Sequence, residues 1–284
     1  MNRIKIYRRT VLVLALLWLV ALAMVLHSRY RTTHPPTTSH VAGKCAGPGL
    51  VAHWKFDEVI DDMTPDAGPY GHHGKLALAP RAFAPLRFDH PKLVPGLHGQ
   101  ALEFGGKHWI AAGNNDCLAS EQFTVAAWVW LAETADVPTI AAKSTWGRDG
   151  WWLCTTTKGA QADDRYLDFG IALGEERNMH VESGYQLPLR EWHHVVASLD
   201  NTRGEAQFFI DGKPYGTKKT GIPRWLVNRD HDLFVAEYDG SARWPWKGKL
   251  DDVRFYNFVL SAEAVGALYA QRTLAARDVR AKLE

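Results

Sequence analysis

Short apolar runs separated by turn-forming residues recur from Leu50 to Asn257: Val51–Phe56, Gln100–Phe104, Phe123–Trp130, Trp192–Leu199 and Gln207–Ile210. Several alternate with the period of two that sends successive side chains to opposite faces of a strand. In Phe123–Trp130, Phe123, Val125, Ala127 and Val129 point one way and Thr124, Ala126, Trp128 and Trp130 the other. Both sets are largely apolar, which predicts a central strand covered on both sides. Asp211-Gly212 follows Phe208-Phe209-Ile210 and predicts a tight hairpin turn in which glycine takes the positive φ. Many short strands without intervening amphipathic helices predict an all-β antiparallel sandwich rather than a βαβ fold. One helix is expected at the end: Ser261 is a good N-cap, Glu263 complements the helix dipole, and Val265, Leu268 and Tyr269 form an apolar stripe. The charged stretch 273–284 reads as a helical tail.

The other end is patterned differently. Residues 1–10 carry Arg3, Lys5, Arg8 and Arg9 with no acid, and Val11–Leu26 is unbroken apolar sequence. As a helix this run spans ~24 Å, short of the ~30 Å hydrocarbon core, with Arg29 and Tyr30 at the far interface. Ala21-Leu22-Ala23 offers a small-x-small cleavage site, yet Met24-Val25-Leu26 carries the apolar run beyond it, which favours a retained signal-anchor over residues 11–28. By the positive-inside rule the basic segment 1–10 is cytoplasmic and everything after Ser28 is extracytoplasmic, on the periplasmic or cell-surface side. Residues 29–49, rich in Thr and Pro, read as a spacer from the bilayer, followed by a folded domain over 50–272. A lipoprotein reading of Val41-Ala-Gly-Lys-Cys45 fails on the Lys before the Cys and on its distance from the apolar run.

Composition narrows the partners. With 33 Lys and Arg against 31 Asp and Glu, the charge of +2 is too near balance to draw the molecule onto nucleic acid. The 12 Trp either fill a β-core or stack on flat apolar surfaces such as sugar rings. Cys45, Cys117 and Cys154 lie in the exported part, where disulfides persist. Cys117 precedes one expected strand and Cys154 lies within another, so a Cys117–Cys154 bridge is the favoured pairing, with buried free thiols as the alternative. No Cys-x-x-Cys pair or zinc-spaced His/Cys cluster is present.

In order along the chain, seven segments are similar to landmarks of the bacterial LamG-like (laminin G, concanavalin A-like jelly-roll) family, from about residue 50 to 269: Leu50–Glu58, Gly71–Gly74, Pro95–Phe104, Phe123–Val129, Trp192–Val196, Phe209–Lys213 and Gly248–Tyr256. The resemblance implies a jelly roll of two stacked sheets, carriage on surface proteins, and binding of carbohydrate or protein ligands, with one structural calcium ion. It also implies that Asp57-Glu58 and Asp251-Asp252 lie side by side, with Asp251, Asp57 and the carbonyl of Gly105 or Gly106 as calcium ligands. Phe104-Gly105-Gly106 departs from the family's Phe-Asp-Gly and removes one carboxylate. Alternatively these acids cap turns or pair with Lys249 and Arg254.

Catalytic signals are weak. His193 and His194 are adjacent on a strand and point to opposite faces, so they read as structural. Ser198 and Asp200 lie nearby, but no nucleophile elbow or oxyanion turn accompanies them. Asp163, Asp164 and Asp168 are the nearest candidates for the paired carboxylates of a glycosidase, and the Glu-x-Asp-x-Glu signature of laminarinase-like enzymes is absent. Aromatic loops are the better lead: Trp146–Trp152, Arg224-Trp225 and Arg243–Lys247 interleave Trp with cations. Trp152 and Trp246 read as core, which leaves Trp146, Trp225 and Trp244, with Arg224 and Arg243, as candidate ligand contacts. The expected function is a membrane-anchored binding module for a carbohydrate or glycoconjugate, with an envelope protein as the alternative partner and glycoside hydrolysis a weaker alternative.

Overall fold

The alternating runs become sixteen strands, with one long helix, in the computed structural model of the protein, which describes residues 45–78, 91–97, 99–133, 137–157 and 165–281. They are β1 (Leu50–Trp54), β2 (Met63–Thr64), β3 (Gly74–Leu78), β4 (Lys92–Pro95), β5 (Gln100–Gly105), β6 (His108–Ala111), β7 (Gln122–Leu131) and β8 (Thr139–Thr145). There follow β9 (Asp149–Thr157), β10 (Arg165–Gly174), β11 (Arg177–Gln186), β12 (His193–Asp200), β13 (Glu205–Ile210), β14 (Lys213–Lys219), β15 (Phe234–Val235) and β16 (Lys247–Tyr256), then helix α1 (Ala262–Ala281). The first sheet runs β14-β13-β12-β7-β16-β5-β4, with β1 paired to β16; the second runs β11-β10-β9-β8-β15-β6-β3-β2. Neighbouring strands in both are antiparallel, as expected of a sandwich.

As its two apolar faces predict, β7 lies centrally between β12 and β16. Its inward side chains join the core between the sheets, where Phe123 stacks on Trp151 at 4.4 Å and on Phe255 at 5.6 Å. Its outward side is covered by α1. Ser261 caps that helix, its hydroxyl accepting the Ala264 N–H at 3.2 Å. Val265 and Leu268 pack on Ala126, Val196 and Phe209, while Tyr269 stacks on Trp128 at 5.5 Å. His194 lies under the same helix, and burial pushes its pKa down to about 4, so it is a neutral packing residue. Its neighbour His193 faces the other way and pairs with Asp211 at 2.9 Å. Asp211 and Gly212 both take positive φ, 50° and 78°, making the expected turn between β13 and β14.

The last strand, β16, occupies the middle of the first sheet. One edge pairs with β7 throughout; the other pairs with β5 up to Leu250 and with β1 from Val253. At the change of partner Asp252 takes φ 53° in a bulge, and its buried carboxylate bonds His53 and Arg254. The Asp252–Arg254 pairing weighed from the sequence is therefore present, while Lys249 lies over the Trp130 ring at 4.6 Å.

The cysteine pairing differs from the expected one. Cys45 bonds Cys117, and Cys154 is a buried free thiol, which corrects the Cys117–Cys154 pairing. The cause is facing: Cys117 belongs to the core between the sheets, whereas Cys154 lies on the outer side of the second sheet beside Trp152 and Tyr238. The bridge draws 45–49 into the domain, where Asn257 bonds Gly49 N–H at 2.7 Å and the Gly47 carbonyl at 3.1 Å. Residues 45–49 are thus tied to the folded domain. The signal-anchor 11–28 lies outside the described residues, and none of the described helices is long and apolar enough to cross a membrane.

Spanning 72 residues, the Cys45–Cys117 bond should contribute about 4 kcal/mol through the entropy of the unfolded chain. Cys45→Ala is expected to lower the urea unfolding free energy by about that amount. Thiol titration without reductant should find no reactive group in the native protein and one, Cys154, after unfolding. Two or more reactive thiols after unfolding would exclude the bridge.

Candidate functional site

With α1 on the first sheet, the outer face of the second is where long side chains are built up. Register places Ala142, Trp152, Gly170 and His180 in one row across β8 to β11, and Cys154, Asp168 and Glu182 in the next. Trp152 lies flat across Gly170, where any side chain would collide: a Cβ there would come within 1.8 Å of the indole. Glycine at 170 is thus the seat of the ring. Tyr238 meets Trp152 edge-on at 5.3 Å and donates to Ser144 Oγ at 3.2 Å. Trp244 lies 4.8 Å from Tyr238, and Trp146 sits 5.0 Å from Trp244 and 5.6 Å from Trp152. Trp152 and Tyr238 are fully buried, whereas Trp146 is 41% exposed and forms the summit. Arg243 places its guanidinium 5.4 Å from the Trp244 ring centre and 5.9 Å from that of Trp146.

Three of these side chains come from the segment between β15 and β16, which is closed at its base and strained along its length. Trp246 N–H donates to the Ala236 carbonyl at 2.9 Å, and Thr139 N–H to that of Trp244 at 3.0 Å. Ala236, Ala242 and Trp244 take φ of 69°, 67° and 53°, each costing of order 1–3 kcal/mol for a non-glycine residue. The buried carboxyl of Glu237 holds them there, accepting the N–H of Arg243 at 2.7 Å and that of Gly240. Strain concentrated where aromatic side chains are presented is typical of ligand-binding segments.

The far rim is polar. Asp168, buried, accepts the Thr156 hydroxyl and lies 3.7 Å from His180 Nδ1. Burial lowers the His180 pKa and raises that of Cys154, with Asp168 reinforcing the latter, so the thiol stays protonated. Of the carboxylates considered for hydrolysis, Asp168 is thus held in the sheet, and Asp163 and Asp164 lie outside the described residues.

The platform unites Trp146, Trp244 and Arg243 and leaves out Trp225 and Arg224. Trp225 is 4% exposed, edge-on to Phe123 at 6.5 Å, with its N–H and carbonyl both bonded to the Asn201 amide. Arg224 pairs with Glu121 at 2.9 Å. Trp225 therefore belongs to the core and is corrected, whereas Arg224 is an exposed residue outside the platform. Glu237 and Tyr238 escape sequence reasoning, although an acid directly after the apolar run Leu233–Ala236 is a signal. Ser198 bonds Thr124 at 2.9 Å, and Asp200 caps the turn at Thr202, so both are used structurally among the described residues.

Asp57 and Asp251 do converge, on the turn between β4 and β5: Asp57 accepts the Gln100 N–H at 3.0 Å and Asp251 that of Leu97 at 3.2 Å. Gly96 and Gly99 make room, since a Cβ would approach Asp251 Oδ2 to 2.8 Å and Asp57 Oδ1 to 2.2 Å. Gly105 does not join them. It pairs with Lys247, four residues from Asp251, ~13 Å along the strand, and its expected role as a ligand is corrected. Two carboxylates facing a glycine cradle fit an oxygen-seeking cation in kind, though no group of three His, Cys, Asp or Glu suited to a metal occurs among the described residues.

Residues 104–266 match the family described as the concanavalin A-like lectin/glucanases superfamily (Laminin_G_3). C-reactive protein of Mus musculus is 30% identical over 117 residues, 39% of this chain and 49% of that protein, so the chain spans about half the length of this relative. Among solved structures, domain 4 of the GH43 extracellular arabinanase AbnA from Geobacillus stearothermophilus, in complex with arabinotriose, superposes with a TM-score of 0.58 at 20% identity, over 78% of this chain and 98% of that domain. The binding domain of botulinum neurotoxin DC in complex with SialylT gives 0.53 at 12% identity, over 78% of this chain and 51% of that one. Both share the fold with this chain.

The clamp on the platform loop is open to test by pH. Burial pushes the Glu237 carboxyl from 4.5 up to about 7, against the N–H bonds that lower it. A carboxyl with a higher pKa in the fold than in the unfolded chain costs stability when it ionises; the cost is absent below pH 4.5 and complete above about 7. Relative to Glu237→Gln, the wild type should therefore lose about 3 kcal/mol as pH rises through this window. Urea denaturation of both proteins at several pH values measures it, and a difference independent of pH would remove the raised pKa.

Proposed function

The chain belongs to the concanavalin A-like lectin/glucanases superfamily, and on that premise we propose that its domain is a carbohydrate-binding module whose ligand surface is the platform on the second sheet. The observation that carries this reading is Trp146, the exposed summit of four packed aromatic rings on the sheet face that α1 leaves open. Indole faces stack on the C–H faces of sugar rings, and a rim of hydrogen-bonding groups orients the hydroxyls. Here that rim is Arg243 on one side and Thr156 and His180 on the other, with Asp168 buried beneath them. The arrangement binds and does not by itself transform. Its finer part is location: the basic residues 1–10 and the apolar run 11–28 support a single-pass anchor that holds the domain outside the membrane.

Full-length protein in mild detergent, screened on a saccharide array, tests the reading. Trp146→Ala should weaken binding at least about tenfold with the thermal transition nearly unchanged. Trp225→Ala, which touches only the core, should instead cost about 3–5 kcal/mol of stability. Absence of binding to every saccharide by folded protein would overturn the carbohydrate reading in favour of a protein partner.

One structural calcium ion completes the proposal. Asp57 and Asp251 would hold it against the β4–β5 turn, and the ion would supply a charge clip between the first and last strands of the domain. Calcium is expected to raise the thermal midpoint and chelator to lower it, with Asp251→Asn abolishing the difference. Equal midpoints in calcium and chelator would remove the ion.

A further inference from the structure

Resting on the carbohydrate reading of the platform, we infer that its ligand is an anionic saccharide bearing a carboxylate, a uronic or sialic acid, whose carboxylate is bound by Arg243. Its guanidinium lies against the faces of Trp146 and Trp244. A guanidinium held over aromatic rings leaves N–H donors along its edge free for an acceptor, and a carboxylate can take two of them at once.

The neighbouring charges leave it available. Glu237 turns its carboxyl inward to main-chain N–H groups, including that of Arg243 itself, and Asp239 accepts the N–H and hydroxyl of Ser241. Two other guanidinium groups near the second sheet are paired, Arg148 with Asp149 and Asp230 and Arg177 with Glu175. Among the described residues Arg243 has no carboxylate within ion-pair distance, although it is exposed. The opposite rim carries acids, Asp168 and Glu182, on the row beyond Trp152. The field across the platform therefore has a direction: a sugar carboxylate is drawn to the Arg243 side, away from the exposed carboxylate of Glu182, and its hydroxyls face the Thr156 and His180 side.

The test is an array carrying uronate-, sialate-, sulfate-terminated and neutral saccharides, probed with full-length wild type, Arg243→Gln, Arg243→Lys and Trp146→Ala, followed by titration of the best binder and of its methyl ester. Thermal midpoints confirm that each variant is folded; the N–H that Glu237 holds is main chain and survives both Arg243 substitutions. The expected result is binding confined to uronates or sialates, lost about tenfold or more on esterification or in Arg243→Gln, partly kept in Arg243→Lys, and weakened by added salt. Which of the two acids binds names the source. Neutral saccharides bound equally well by wild type and Arg243→Gln, but not by Trp146→Ala, would overturn this inference and leave the carbohydrate reading standing. A preference for sulfate with carboxylates ignored would also overturn it. Binding of no saccharide by folded protein would overturn both.

Discussion

Everything in the sandwich depends on the pairing of β16 into the middle of the first sheet. This strand comes near the end of the domain, yet it completes β7 on one edge and both β5 and β1 on the other. Two partners on one edge require a break in register, and Asp252 supplies it by taking a positive φ that is held by His53 and Arg254. A buried carboxylate with two cationic or hydrogen-bonding partners tolerates that bulge where an unpaired one would not. The contacts are non-local, so the first sheet cannot close until almost the whole domain is present, a topology that folds slowly. The same strand fixes the platform loop, because Trp246 enters the core as β16 begins and pulls the loop's end against Ala236.

The two outer faces are then used differently. On the first sheet, Trp128, His194 and Phe209 are apolar or neutral and α1 removes them from water. On the second, Trp152 is covered by Tyr238, Trp244 and Trp146, which do not continue into a layer of secondary structure. A helix buries its stripe at little cost to the backbone. A loop must bend sharply to do the same, and three non-glycine residues in left-handed conformations are how this one does it. Strain of that kind persists only where the surroundings over-determine it, here through the Glu237 carboxyl and the main-chain bonds at the base of the loop.

Much of this is legible in the sequence, and the rest is hidden for identifiable reasons. Alternation in Phe123–Trp130 is enough to place β7 centrally, because both of its faces are apolar; Asp211-Gly212 is enough to place a turn. Trp225 misleads because local sequence shows only a Trp beside an Arg and a Pro, whereas the Asn201 side chain, distant in sequence, fixes its backbone and seats it on Phe123. The cysteine pairing misleads for a related reason. Period two shows that Cys154 alternates with Leu153 and Thr155, but not which of the two faces is the interior. The calcium ligands follow the same logic: Asp57 and Asp251 are placed beside a common turn, while the register of β5 against β16, invisible in either segment alone, carries Gly105 away from them.

The platform loop also shows how one acid and one base in a short segment avoid cancelling. Glu237 and Arg243 are six residues apart and joined by a hydrogen bond, yet that bond is to the main-chain N–H. Had the carboxylate met the guanidinium, the two charges would have neutralised each other at the rim and the backbone of the loop would have lost its acceptor. By taking the peptide dipoles instead, the buried carboxyl stabilises the strained turn from within, and the guanidinium keeps its charge outside, over the rings of two indoles. Folding energy and binding chemistry are thereby assigned to opposite sides of the same loop. This is why replacing the acid should disturb the shape of the surface, whereas replacing the base should disturb only what the surface attracts.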